Sequence, residues 1–200
     1  MKSERGAVLV EFAVVAPLLL LLTFGIIEFA VLLNADSNVT QSTRAGGRSA
    51  AISSTDPQME FKAAEAAATA LDISPSSITG APTVCVGRYN PTSSDPCGDF
   101  VVRLTLVHTG APSGPKWQVQ SGALPPGVYP PTDNWPVANR NFGCARNGQP
   151  GTFDKVVVHV SVAHDLLVPA LFKVFFGGNS SPALKSSSVF ALEPVPSSSC

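Results

Sequence analysis

The sequence predicts an α+β fold, in which an N-terminal transmembrane helix extends into an extracytoplasmic domain with a small, mainly antiparallel sheet and flanking helices. Three observations predict it. Ala7 to Leu33 is almost entirely apolar, with Glu11 and Glu28 its only charges. Downstream, short runs alternate apolar and polar residues, most clearly Lys155 to Ala163 (KVVVHVSVA). Of the chain's 18 prolines and 16 glycines, all but Pro17, Gly6 and Gly25 lie beyond Leu33 and divide that part into short, loop-connected elements rather than a helical bundle.

Taken in order, residues 1–6 form a short polar leader carrying Lys2 and Arg5, and residues 7–33 form the span. As helix, a run of that length covers roughly 40 Å, against roughly 30 Å of hydrocarbon. The excess is accommodated by tilt or by projection at one end. Glu11 and Glu28 lie about 25 Å apart along the axis, near opposite interfaces, where a carboxylate costs far less than at the midplane. Pro17 removes a backbone donor and is expected to bend the span. Gly25 leaves room for a neighbouring helix. A cleaved secretory signal has a shorter apolar core and a small-x-small cut site, so a retained anchor is the better reading. Lys2 and Arg5 precede the span, and Arg44 and Arg48 follow it. The first charge after it, Asp36, favours N-terminus inside and C-terminus outside.

Residues 34–200 suit one domain, with 11 acidic and 11 basic residues. That balance argues against nucleic acid, which selects a basic footprint. Ala35 to Ala51 continues the helix, although Gly46-Gly47 weakens it. Ser53 to Pro57 reads as a break, with Thr55 or Asp56 capping a new helix and Pro57 in its first turn. Gln58 to Leu71 then places Phe61, Ala64, Ala68 and Leu71 on one face. Strands are expected at Thr83 to Arg88, Phe100 to His108 and Lys155 to Ala163. In the second, Val102, Leu104 and Leu106 share a face opposite Val101, Arg103 and Thr105. In the third, Val156, Val158, Val160 and Val162 align and His159 faces away. Asp165 is expected to cap an apolar helix from Leu166 to Phe176, and Ser186 to Leu192 is a final strand.

Between them, about residues 109–152 hold eight prolines, seven glycines, Trp117, Tyr129 and Trp135. This loop is either an exposed aromatic contact surface or an insertion that its aromatics pin to the sheet. Four cysteines, Cys85, Cys97, Cys144 and Cys200, suit disulfides outside the cytoplasm. Cys85 and Cys97 flank a turn-rich segment and are the expected pair. Cys144 then pairs with Cys200, or Cys200 is an unpaired tail thiol.

Catalytic chemistry is not legible. The chain has no GxSxG, no phosphate-binding glycine loop, no HExxH, no Cys/His metal spacing and no calcium-type carboxylate cluster. Neither an enzyme nor a cofactor is expected. Asn38-Val39-Thr40 and Asn179-Ser180-Ser181 match a glycosylation sequon, which matters only in a eukaryotic secretory pathway.

The N-terminal block, Arg5-Gly6-Ala7-Val8-Leu9-Val10-Glu11-Phe12-Ala13 with Pro17 and Gly25-Ile26-Ile27-Glu28-Phe29, resembles the TadE-like family. These are pseudopilins of the bacterial tight-adherence (Flp-type) pilus system. Val39 to Arg48 is similar to the family's Arg-containing helix after the membrane. The Val-rich strand, Leu167 to Phe172 and Ser187 to Pro194 extend the likeness to about half the chain. The resemblance implies a pilin-like domain and cleavage by a prepilin peptidase after Gly6, which makes Ala7 the new N-terminus. Glu11 then stands at the fifth mature position. A carboxylate one turn into a helix is favoured by the dipole and can pair with the new amine of a neighbouring subunit; alternatively it is an interfacial acid with no partner. Phe12 occupies the place of a tyrosine in the major pilins, which fits a minor subunit. Glu11, Phe12 and Glu28 are the expected assembly contacts, and the membrane and other Tad pilus subunits the expected partners. Two other readings stay open: an anchored extracytoplasmic protein that binds a protein or carbohydrate through the 109–152 loop, and a component of a related secretion or DNA-uptake machine.

Overall fold

The computed structural model describes residues 4–111, 113–120, 154–167 and 181–192, with side chains from residue 8 onward. Helix α1 (Glu4–Ile52) is one uninterrupted helix of 49 residues, about 73 Å long at the α-helical rise. Pro17 lies inside it. So do Gly46 and Gly47, whose low propensity was expected to weaken the helix and does not end it. Their role is steric. A Cβ on Gly46 would sit 2.8 Å from the Ala63 carbonyl oxygen and 3.0 Å from both Ala67 Cβ and Val158 Cγ1. One on Gly47 would enter the Phe190 ring. The missing side chains let α1 lie against a helix and a sheet at once, which outweighs roughly 1 kcal/mol per glycine in propensity.

Helix α2 (Met59–Ala70) begins one residue later than expected and ends one earlier. Asp56 acts before the helix rather than as its cap: its Oδ1 accepts the Gln58 N–H at 2.7 Å, and its carboxylate pairs with Lys62. Phe61, Ala64, Ala68 and Leu71 are all buried, as the spacing predicted, together with Met59, Ala63 and Ala67. Alanine at the contact positions brings α2 so close to α1 that hydroxyls of α1 reach its backbone. Ser42 donates to the Ala67 carbonyl at 2.7 Å and Ser49 to the Lys62 carbonyl at 3.2 Å.

The sheet contains β1 (Thr83–Arg88), β2 (Asp99–His108), β3 (Trp117–Val119), β4 (Lys155–Ala163) and β5 (Ala183–Ala191). Its order is β3-β2-β1-β4-β5, and every neighbouring pair is antiparallel. The architecture is the α+β one expected, and β1, β2 and β4 lie where alternation placed them. The inner face carries Val84, Val86, Leu106, Val156, Val158, Val160 and Val162, which form one core with α1 and α2. The outer face carries Thr83, Cys85, Arg103, Thr105, His159 and Ser161 by register.

Three elements differ from the sequence reading. Strand β5 starts at Ala183 rather than Ser186, because all nine of its residues find partners along β4. Strand β3 was not expected. Trp117 is buried and its indole N–H donates to the Ile73 carbonyl at 3.0 Å, so the beginning of the 109–152 stretch is pinned to the sheet. The helix expected from Leu166 to Phe176 lies mostly outside the described residues, and Leu166 and Leu167, inside them, are not helical.

Cys85 and Cys97 form the expected disulfide, with Cα atoms 6.0 Å apart. Directly after Cys97 the chain turns at Gly98, whose φ of +72° and contact with the Arg88 carbonyl leave no room for a side chain. Asp95 Oδ1 accepts the Cys97 N–H at 2.9 Å. Cys144, Cys200, Tyr129 and Trp135 lie outside the described residues.

Two consequences are measurable. Gly46→Ala, although favourable to an isolated helix, is expected to destabilise the protein by about 1–3 kcal/mol through overpacking, read as a lower urea midpoint. Replacing Cys85 and Cys97 together by serine is expected to cost about 2–4 kcal/mol by the same measurement.

Candidate functional site: the apolar helix and its junction with the domain

The two halves of α1 have different surroundings. From Val8 to Ile27 its side chains are exposed, apart from a half-buried Ala16, and they include Phe12, Leu18, Leu22 and Phe24. This stretch is long and apolar enough to cross a membrane and is a candidate membrane anchor. Glu11 is also exposed, one residue before Phe12, and Gly25 has nothing within 4 Å of where a Cβ would be. Gly6 and Ala7 lie within the helical backbone.

From Val8 onward, the first buried residue of α1 is an acid. Glu28 is 2% exposed. After it the buried positions are Ala35, Val39, Ser42, Thr43, Gly46, Gly47, Ala50 and Ala51. Steps of three, four and seven residues mark one helical stripe, and nearly all of its members are small. Opposite the stripe, Phe29, Leu33, Ser37, Gln41, Arg44 and Arg48 remain exposed. Thr43 of the stripe lies 2.9 Å from Ser188 and 3.4 Å from Ser186 on β5, oxygen to oxygen. The contact with β5 is therefore hydroxylic as well as apolar.

Both Glu28 carboxylate oxygens lie 3.0 Å from the Leu167 amide nitrogen, which donates to them across a separation of 139 residues. The segment that supplies this N–H is itself fixed. The His164 N–H donates to the Pro182 carbonyl at 3.0 Å, and the Asp165 N–H to the Ser77 carbonyl at 2.8 Å. The Ser181 and Thr79 hydroxyls donate to Asp165 Oδ1, and these two bonds hold its carboxyl below the usual carboxylate range. Asp165, expected to cap a following helix, thus ties the end of β4 to the residues before β1 and β5. Glu28 takes the Leu167 N–H that such a cap would have taken.

Glu28 was expected near a membrane interface and among the contacts between subunits. The structure gives its carboxylate a partner within its own chain. Sequence reasoning missed this because nothing local to Glu28 announces Leu167. The stripe itself was readable: small residues recur every three or four positions from Ala35 to Ala50. Beside the junction a cleft of about 390 Å³ is lined by Val31, Asn34, Asn38, Ser74 and His164. His164 is buried, and its Nδ1 has no hydrogen-bond partner among the described residues. Among those residues no group of His, Cys, Asp and Glu side chains is arranged to hold a metal ion.

Residues 6–48 match the family model described as TadE-like protein. The matched stretch contains the exposed apolar half of α1, Glu11, Glu28 and both glycines of the stripe. No curated protein and no solved structure matches the chain.

Removing the acceptor at the junction tests its contribution. Glu28→Ala leaves the Leu167 N–H unpaired and is expected to cost about 1–3 kcal/mol. Glu28→Gln keeps an acceptor oxygen and is expected to recover part of that loss. Urea unfolding of the detergent-solubilised protein, followed by tryptophan fluorescence, measures both.

Proposed function

We propose that this chain is a membrane-anchored minor pilin or assembly component of a Tad (Flp-type) pilus, acting in pilus biogenesis, adherence or secretion. It works by anchorage and subunit contact, without catalysis. The observation that carries this reading is the coincidence of two things on one helix. The TadE-like match covers residues 6–48, and the same stretch is a bare apolar rod up to Ile27 and a domain-bearing rod beyond it.

In this reading the N-terminus is cytoplasmic and the domain extracytoplasmic, where an oxidising environment sustains the Cys85–Cys97 bond. A prepilin peptidase cuts between Gly6 and Ala7 and leaves a charged amine at the start of the helix. Glu11 lies about 6 Å along the axis from that new terminus. In a low-dielectric surrounding, a carboxylate and an ammonium on adjacent subunits attract far more strongly than in water. Exposed Phe12, beside Glu11, and the open surface at Gly25 supply apolar contact area for a neighbouring helix. Glu28 and the small-residue stripe hold the domain to its own helix, so each subunit travels as a unit.

Intact-mass measurement of membrane-extracted protein tests the processing step. A chain beginning at Ala7, restored to full length by Gly6→Ala, is the expected result. A wild-type chain intact from Met1 would instead indicate a plain signal-anchored protein.

A further inference from the structure

The face of the sheet turned away from α1 has a different chemistry from the rest of the molecule. Register places Thr105, Thr83 and Ser161 in one cross-strand row that Lys185 of β5 completes. The adjacent row runs Arg103, Cys85, His159 and Ser187. Three nitrogen-bearing side chains, Arg103, His159 and Lys185, therefore surround a patch of hydroxyls. Between them is a recess of about 310 Å³, with Pro96 of the disulfide loop on its wall. A single sugar ring or a phosphate fits such a volume.

The recess is held in shape from several sides. The disulfide fastens the Pro96 loop to β1 beneath it. Ser187 Oγ lies 2.7 Å from His159 Nδ1 and fixes the imidazole ring. Asp95 pairs with Arg103 through Nη2, which leaves other guanidinium donors for a second acceptor. Lys185 is exposed and forms no ion pair among the described residues. Burial lowers the His159 pKa, and the positive charges of Lys185 and Arg103 lower it further against the weaker opposing pull of Asp95. Asp95 balances Arg103, and among the described residues no anion balances Lys185.

We propose that this recess binds a small oxyanion, held by Lys185, Arg103 and His159 and by the hydroxyls of Thr83, Thr105 and Ser161. Planar guanidinium, point-charge ammonium and short hydroxyl donors suit the several acceptor oxygens of a phosphate or of the carboxylate of an acidic sugar. The site faces away from α1 and does not depend on the pilus reading. It also places ligand recognition on the sheet rather than in the 109–152 loop.

The test uses the full chain in detergent micelles, titrated with inorganic phosphate and, separately, glucuronate, against chloride at matched ionic strength. Saturable binding of either anion is expected, and whichever binds identifies the source of the oxyanion. Bound anion stabilises the protonated imidazole, so the His159 pKa, followed by NMR, is expected to rise on saturation and affinity to increase as pH falls. Lys185→Gln, at an exposed position, is expected to weaken binding by about tenfold, the loss of one charge-assisted hydrogen bond. Arg103→Gln is expected to do the same. No saturable binding by either anion, or affinity unchanged in Lys185→Gln, overturns the proposal, and neither result depends on Arg103→Gln folding.

Discussion

Everything else in the structure depends on how closely α1 approaches the domain. A helix of 49 residues is apolar over its first half and must remain ordered over its second without a bundle around it. Isolated helices gain little stability from propensity alone, and this one carries a glycine pair near its end. The stripe of Ala35, Val39, Ser42, Gly46 and Ala50 resolves the conflict. With almost no side chain in the way, backbone approaches backbone, and α2 and the sheet pack directly on the helix. Valines of β1 and β4 then fill the remaining space.

Glu28 marks the change of regime. From Val8 to Ile27 the helix surface is exposed apart from a half-buried Ala16; after Glu28, one face is covered and the opposite face is open. A buried carboxylate is costly unless hydrogen-bonded, and here the Leu167 amide answers it. The contact lies at the end of a chain of backbone bonds through Ser77, Pro182 and Asp165. Helix, the turn before β1 and the end of β4 therefore meet at one point. That point couples the position of the helix to the domain.

How much was legible follows from where each signal resides. The long helix, α2, β1, β2, β4 and the Cys85–Cys97 pair were readable because hydropathy, alternation and loop length are local properties. Strand β5 was read three residues short, since Ala183-Leu184-Lys185 has little strand character and is extended by pairing with β4. Strand β3 was missed because three residues among prolines and glycines show no periodicity; the burial of Trp117 against Ile73 creates it. Gly46-Gly47 was read as poor helix, but the helix runs on through both, because propensity does not report what packs against a position. Glu11 and Phe12, which the resemblance marks as assembly contacts, are both exposed in the structure. The partner of Glu28 was not found, because it lies at the far end of the chain.

A spin-label scan along α1 in lipid vesicles, one cysteine-borne label at a time from Val8 to Ile52 on a background keeping the Cys85–Cys97 disulfide, tests the two-regime helix most directly. The account predicts uniform accessibility to apolar oxygen from Val8 to Ile27. From Glu28 onward it predicts a 3.6-residue oscillation, with minima at Glu28, Ala35, Val39, Ser42, Gly46 and Ala50. Accessibility without that period beyond Glu28, or the same periodic protection starting at Val8, would contradict it.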